Sequence, residues 1–280
     1  MDARGLARRR FVASRFPKRP DFGKRYLQWI EDRFDYSVSN FGEVELVSAA
    51  SDLKKSFLRS EFWRTFCQKM ESVDRRFRYN TSSELFEKLT APVITQKSFS
   101  SFLRKTHRFN VSINGNWPEA PDLGWVSPDN WFEKINDIVR TKIVVRQTDG
   151  AIFLVKWLEK MATDSGFRVD VRYHADDDGY YGIHVYLFLP ARILRKSTGK
   201  FAGITGQLEI QVITQLHDTI RQLLHQSYRR KRNLMLDVKT PWQWQYKSDE
   251  FVLQFIGHGL QNIDGLISRF REEANNASGF

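Results

Sequence analysis

Apolar positions recur at two periods along the chain, and the change of period separates a helical stretch from a sheet-forming one. Between residues 21 and 90, large apolar side chains follow one another about every fourth residue, which is the spacing of one helix face. The side chains that show this spacing are Leu53, Phe57, Phe62, Phe66 and Met70. The hydroxyl-rich run at 81–84 predicts the start of a further helix, because a hydroxyl cap there precedes a carboxylate.

Strand-type runs follow a turn-rich loop at 111–130, whose Trp117 and Trp125 are expected either in the core or in a lid. Strands are predicted at 143–145, 167–173, 183–189 and 206–213. Helices are predicted at 152–161, from about 216 to 229, and at 251–270, with a turn at Asp149-Gly150. This order of elements predicts an α+β fold, with a mixed β-sheet flanked by helices.

The domain organisation predicted from these patterns is one folded domain behind a short arm. Residues 1–20 are expected to be a basic, proline-containing N-terminal arm, and residues 21–280 a single domain. Within that domain, residues 21–90 form a helical part, residues 91–235 the core that carries the candidate site, and residues 236–280 a helical C-terminal part.

Composition adds a preference for anionic partners. The 280 residues include 44 Lys and Arg against 33 Asp and Glu, a net charge of +11. Such an excess favours nucleotide phosphates, RNA, DNA or an anionic membrane surface, although solubility alone would also explain it. The single cysteine, Cys67, excludes a disulfide within the chain, and no apolar run approaches the roughly 18 residues of a membrane span. A cytoplasmic protein with no membrane partner is therefore expected.

Two groups of residues suggest phosphate and metal chemistry. Lys97, Ser101 and Lys105 would share one face of a helix, which suits a triphosphate chain, although a solvated basic face has the same pattern. Asp137 opens an apolar strand, where a carboxylate can bind Mg²⁺ or simply cap a turn. If Asp137 points into the site, strand alternation sends Arg140 and Lys142 to the opposite face.

Two further groups suggest an acceptor site. In the run Gly179-Tyr180-Tyr181-Gly182-Ile183-His184, the glycines allow close backbone approach and Tyr180 offers a flat surface for a base, although a plain hairpin is the alternative. Glu209 and Gln211 share one strand face with Ile213. There Glu209 would accept a proton, help bind a metal, or merely lie at a surface position.

These four elements, in this order, resemble the RelA/SpoT family of (p)ppGpp synthetases. That family has a lysine–serine–lysine helix, an Asp-Ile-x-Gly-x-Arg strand, a Gly-Tyr-x-Ser-x-His loop, and a Glu-Ile-Gln strand before a His-containing helix. The match covers about residues 93–230. It implies the nucleotidyltransferase-like synthetase fold and a small, stand-alone enzyme.

The resemblance implies that ATP transfers its β,γ-diphosphate to the ribose 3′-hydroxyl of a guanine or other purine nucleotide, making a (p)ppGpp-type alarmone with Mg²⁺ as cofactor. The residues implied in ATP binding are Lys97, Ser101, Lys105 and Lys142. Those implied on the acceptor side, where GDP or GTP would bind, are Tyr180, His184 and Gln211. The carboxylates implied as catalytic groups and metal ligands are Asp137 and Glu209.

Departures from the family pattern leave the grip on ATP and the choice of acceptor open. Where the family has arginine, glycine, arginine, serine and arginine, this chain has Thr95, Arg140, Lys142, Gly182 and Ile213. Two alternatives therefore stand beside the nucleotide hypothesis. One is a toxin that pyrophosphorylates the 3′ end of tRNA and has an antitoxin partner, which the basic runs at 8–10 and 229–232 favour. The other is a non-catalytic module that binds nucleotide or RNA.

Overall fold

The chain folds into two compact units, each assembled from three separate stretches of sequence. The computed structural model describes residues 18–195, 198–222 and 242–277. Unit 1 comprises Met1–Arg59, Ile94–Arg140 and Phe188–Leu208, and unit 2 comprises Ser60–Val93, Thr141–Leu187 and Glu209–Phe280. Most of the predicted basic arm and both basic runs lie outside the described residues. The single domain expected from residue 21 stays a prediction.

Three helices precede the first strand of the described chain, and three consecutive strands precede its last two helices. The helices are α1 (Lys24–Phe34), α2 (Glu43–Arg59), α3 (Glu61–Thr81), α4 (Phe99–His107), α5 (Trp131–Lys134), α6 (Thr148–Asp164), α7 (215–222 as far as described) and α8 (Asp249–Ala277). The strands are β1 (Ile94–Gln96), β2 (Val139–Val145), β3 (Arg168–Ala175), β4 (Tyr181–Arg195) and β5 (Lys200–Thr214). Short helical turns lie at Val38–Gly42, Arg108–Ser112 and Trp242–Trp244.

The strands form one five-stranded mixed sheet in the order β1-β2-β5-β4-β3, so that β5 occupies the centre. Burial alternates along β2, whereas β5 is buried at every position from Leu208 to Thr214. The α+β class with a mixed, helix-flanked sheet, as predicted from the sequence, is confirmed.

Aromatic side chains form much of each core. In unit 1, the buried Trp29 contacts Tyr26, Trp117 and Trp125, with ring centroids 5.1–5.7 Å apart. The two tryptophans of the predicted loop therefore pack against the core. In unit 2, Phe66 on α3 lies 5.9 Å from Trp157 on α6. Burying rings of this size is a large part of what the hydrophobic effect contributes to each unit.

Two local predictions at helix ends are wrong. The run at 81–84 ends α3, since Ser82 adopts a left-handed conformation (φ 55°) and donates its N–H to the carbonyl oxygen of Arg78. Asp149-Gly150 lies inside the first turns of α6. A Cβ atom at Gly150 would stand 3.1 Å from a methyl carbon of Leu85, so this glycine serves close packing and not a turn.

Helix α8 packs on the rest of unit 2 through a polar face. His258 hydrogen-bonds the Tyr181 hydroxyl at 2.8 Å, and Arg271 forms a mostly buried ion pair with Asp149. Burial also raises the pKa of Asp264 on the same face. The exposed side chains of the helix include the large apolar residues Val252, Phe255, Ile263, Leu266, Ile267 and Phe270. None of the helices in the described ranges has the length and apolar character needed to cross a bilayer.

Breaking the ion pair between Arg271 and Asp149 should destabilise the protein strongly, since each side chain is only 15% exposed. We expect Arg271→Ala to lower the free energy of unfolding by about 3 kcal/mol, because it leaves a buried carboxylate without its cation. The matched control is Arg269→Ala, whose ion pair with Glu273 is exposed and should contribute at most about 0.5 kcal/mol. Urea unfolding followed by circular dichroism measures both, and equal losses would contradict the prediction.

Candidate active site

A buried cluster of opposite charges lies in unit 1, where Lys97 and Lys105 both contact Asp137. The ammonium of Lys97 lies 2.6 Å from Asp137 Oδ2, and that of Lys105 lies 2.9 Å from Oδ1. Lys105 also donates to the side-chain oxygen of Asn136 at 2.7 Å. Each carboxylate oxygen of Asp137 therefore has its own cation.

Local capping places the two lysines. The Ser98 side chain accepts from the N–H of Ser101 and starts α4, so Lys97 lies just before the helix. Its own N–H donates to the carbonyl oxygen of Ile138 at 2.9 Å, which fixes it beside the turn that carries Asp137. Lys105 lies two turns further along the helix and reaches the same turn.

The sequence placed these residues in partly wrong elements. Lys97 precedes the helix instead of lying on it, and Asp137 lies in the turn before β2 instead of in a strand. Ser101 is directed to the other serine of the cap, since its hydroxyl oxygen is 2.9 Å from that of Ser98. The two lysines do lie close together, as predicted, but they do so because both contact Asp137 and not because they share one helix face.

Electrostatics make this cluster a phosphate-binding candidate. Burial lowers the pKa of Lys97, while the charge of Asp137 opposes that change. Burial alone would raise the pKa of Asp137, but the charges of Lys105 and Lys97 bring it below its usual range. Two ammonium groups against one carboxylate leave an excess of one positive charge in a largely buried place, which favours an anionic ligand.

Strand alternation on β2 was predicted correctly. Val139 and Thr141 are buried, whereas Arg140 is partly exposed and Lys142 exposed. Lys142 belongs to unit 2 and bonds Asp218 at 2.5 Å. Its role in ATP binding stays a prediction.

A second polar cluster lies in unit 2, around Glu209 on the central strand. Gln211 donates to Glu209 Oε1, as expected of two side chains on one strand face. His184 on β4 is also buried, and its Nδ1 lies 3.5 Å from the same oxygen. The structure thus brings together the predicted acceptor residues His184 and Gln211 and the predicted catalytic Glu209.

A chain of hydrogen bonds extends from this carboxylate through His184. Its Nδ1 faces Glu209 and the Tyr186 hydroxyl, 3.2 Å away, and its Nε2 is 2.8 Å from the Tyr180 hydroxyl. The His184 ring thus links the Glu209 carboxylate to the Tyr180 hydroxyl. Burial raises the pKa of Tyr180 to about 12, so this hydroxyl stays a donor at neutral pH.

The sequence missed several neighbours of these clusters. Tyr186 follows His184 by two residues, so strand alternation would have found it. Asn136 adjoins Asp137. Arg221, whose guanidinium lies 5.1 Å from the Tyr180 ring centroid, carries no sequence signal because it comes from helix α7. His174, with its ring 4.2 Å from that of His184, comes from the neighbouring strand β3 and likewise has none.

Magnesium fits the unit 1 cluster if Asp137 binds it together with substrate phosphates. No group of three or more His, Cys, Asp or Glu side chains in the described ranges is arranged to hold a metal. Mg²⁺, however, commonly binds one carboxylate together with substrate phosphates. Both oxygens of Asp137 are paired with lysines, so the metal fits if phosphates draw the ammonium groups away. That Glu209 is also a metal ligand stays a prediction.

Solved structures of small alarmone synthetases are similar to this chain. Small alarmone synthetase 1 from Bacillus subtilis, bound to its product pppGpp, is 19% identical over 79% of this chain and 97% of that one, with a TM-score of 0.46. Small alarmone synthetase 2 from the same organism is 17% identical over 80% of this chain and 97% of that one, with a TM-score of 0.43. A GTP pyrophosphokinase family protein from Streptococcus pneumoniae is 17% identical over 83% of this chain and 93% of that one, with a TM-score of 0.45. No family model and no curated protein matches the chain.

The lowered pKa of Asp137 should appear as a dependence of stability on pH. Its ion pairs contribute stability above the ordinary aspartate pKa and lose it as the pH falls through the folded-state value. We expect Asp137→Asn to lower the free energy of unfolding by about 3 kcal/mol at pH 7, with the difference from wild type closing below about pH 4.

Urea unfolding between pH 2.5 and 7 measures this difference. The exposed Asp122, changed to Asn, is the control and should stay within about 0.5 kcal/mol of wild type. A difference for Asp137→Asn that is the same at every pH would show that its ion pairs are not the source.

Proposed function

We propose that this protein is an ATP-dependent pyrophosphokinase that transfers the β,γ-diphosphate of ATP to the ribose 3′-hydroxyl of a purine nucleotide. The observation that carries the proposal is the buried cluster of Lys97, Lys105 and Asp137, with its excess of positive charge. The polar cluster around Glu209 supports it, because it offers a carboxylate to the attacking hydroxyl.

On the donor side, the two lysines neutralise the polyphosphate. They rest on Asp137 and exchange this carboxylate for phosphate oxygens when ATP binds, since a charge-assisted bond to phosphate replaces one of the same kind. Asp137, freed from them, is the residue that would hold Mg²⁺, and a bound magnesium ion would neutralise phosphate charge there. Positioning and charge neutralisation account for most of the catalysis in phosphoryl transfer generally.

On the acceptor side, Glu209 receives the proton of the 3′-hydroxyl while His184 and Gln211 hold its carboxylate in place. The 3′-oxygen forms a bond to the β-phosphorus, and the bond from that phosphorus to the α,β-bridging oxygen breaks. AMP leaves with this bonding pair, and the acceptor gains a pyrophosphate. Tyr180 provides the flat ring on which the acceptor base stacks.

The acceptor is proposed to be a nucleotide, GDP or GTP first. The basic runs that favour tRNA in the sequence lie outside the described residues, so the structure adds no support for tRNA. The alternative of a non-catalytic module is disfavoured because both carboxylates that the proposed chemistry needs, Asp137 and Glu209, are present.

Binding of the donor should depend on the two lysines and not on Ser101. We expect Lys97→Met and Lys105→Met each to raise the Kd for the non-hydrolysable α,β-methylene analogue of ATP by about tenfold or more, because a bond to a charged group is lost. Ser101→Ala should change it by about twofold at most, since its hydroxyl oxygen pairs with that of Ser98. Isothermal titration calorimetry measures all three, and a larger effect of Ser101→Ala would restore the helix-face interpretation.

The rate of pyrophosphate transfer should depend on both carboxylates, Asp137 and Glu209. Incubation of the protein with γ-labelled ATP, Mg²⁺ and GDP, GTP, ADP or deacylated tRNA should label a nucleotide. Glu209→Gln should reduce the rate by about 10²–10⁴-fold, the usual contribution of a general base, and Asp137→Ala should reduce it strongly. The control, Glu159→Gln, alters an exposed carboxylate on α6 and should leave the rate unchanged.

The same assay identifies the failures. Label on tRNA alone would contradict a nucleotide acceptor and support the hypothesis of a toxin that modifies tRNA. No transfer to any acceptor, at a background that neither carboxylate variant lowers, would contradict catalysis altogether.

A further inference from the structure

The Tyr180 ring is already occupied. The guanidinium of Arg221 on α7 lies 5.1 Å from the ring centroid, within the range of a cation–π contact. The rings of His184 and His174 flank it, with centroids 5.9 and 6.1 Å away. A guanidinium is planar and stacks on aromatic faces much as a base does. Arg221 therefore covers the surface on which an acceptor base would stack.

Gly182 permits this arrangement. A Cβ atom at Gly182 would stand 2.7 Å from the Tyr180 hydroxyl oxygen and 3.1 Å from its ring carbon, so any side chain there displaces the tyrosine. The backbone itself does not require glycine, because Gly182 is absent from the described residues with positive φ. Its lack of a side chain is what lets Tyr180 fold back and hydrogen-bond His184 at 2.8 Å.

We propose that Arg221 is the specificity-determining residue on the acceptor side. It covers the Tyr180 ring until a phosphate of the acceptor draws the guanidinium away, so that phosphorylated acceptors are selected over free nucleosides. The inference rests on the proposed function, since it assumes that Tyr180 stacks on the acceptor base.

The exchange has a physical basis. The guanidinium also hydrogen-bonds the Tyr180 side chain. A bidentate, charge-assisted bond from arginine to phosphate is stronger than these two contacts at a solvent-exposed position, and the Arg221 side chain is exposed. A nucleoside brings a base but no phosphate, so it must displace the guanidinium without compensation. A nucleotide compensates the loss with its own phosphate.

Two variants test the inference through their effects on the binding of guanosine and of GDP. We expect Arg221→Ala to tighten the binding of guanosine by about fivefold, because the ring is uncovered. The same change should weaken the binding of GDP by about tenfold, because its phosphate loses a charged partner. Gly182→Ser should move Tyr180 out from under the guanidinium while keeping Arg221 available. This variant should therefore tighten the binding of guanosine without weakening the binding of GDP.

Matched controls separate these effects from charge and backbone changes. Arg76→Ala removes one exposed positive charge elsewhere in unit 2, and Gly203→Ser adds a hydroxymethyl group where the structure has open space. Neither should alter the preference of the protein for GDP over guanosine. Kd values come from calorimetry, with adenosine and ADP run in parallel, and circular dichroism checks that each variant is folded.

The outcomes distinguish this inference from the proposed function. If wild type transfers pyrophosphate to GDP but Arg221→Ala changes both Kd values in the same direction, the specificity role is wrong and the proposed function stands. If wild type neither binds nor pyrophosphorylates any nucleotide, the proposed function fails and the inference fails with it. Opposite shifts for guanosine and GDP in Arg221→Ala support the inference.

Discussion

The pairing of Asp137 with two lysines is the interaction on which the candidate donor site depends. Lys97 and Lys105 could not both be largely buried without an acid between them, since like charges in a region of low dielectric repel strongly. Asp137 in turn could not be ionised there without them. The cluster is stable only as a whole, and its excess positive charge is a consequence of two cations sharing one anion. A phosphate that replaces Asp137 as partner meets lysines that are already positioned.

The same constraint applies in unit 2, where polar groups are buried on the central strand. Glu209 and Gln211 lie on a part of β5 that is buried at every position, so each needs a partner from within the unit. Gln211 and His184 contact the Glu209 carboxylate, and Tyr180 hydrogen-bonds His184. A network in which every member has a partner holds its side chains in fixed positions, which is what a general base requires.

Local patterns in the sequence predicted the fold class, and together with the family resemblance they predicted most members of both clusters. The local patterns gave wrong helix boundaries where a capping residue decides where the helix begins or ends. Ser98 starts α4 one residue after Lys97, and Ser82 ends α3 where a helix start was expected. Strands β4 and β5 are each 15 residues long, far beyond the apolar runs that predicted them. The two strands are neighbours in the sheet, and hydrogen bonds between neighbouring strands have no signature in either strand alone.

The departures from the RelA/SpoT pattern are accommodated in the structure. The Thr95 hydroxyl donates to the carbonyl oxygen of Arg140, and so joins two of the departing positions at the edge of the sheet. The missing side chain of Gly182 faces Ile213, whose methyl carbon would lie 3.4 Å from a Cβ atom there. A serine opposite an arginine at these positions would be a polar pair, whereas glycine opposite isoleucine is an apolar one of fitting size.

Gly182 and Ile213 lie next to each other, so these two departures fall in one place within unit 2. The polar groups that the proposed chemistry needs keep their partners around the Gly182 and Ile213 pair, since Tyr180 remains bonded to His184 on β4 and Gln211 to Glu209 on β5. The departures at Gly182 and Ile213 therefore leave this hydrogen-bonded network in place.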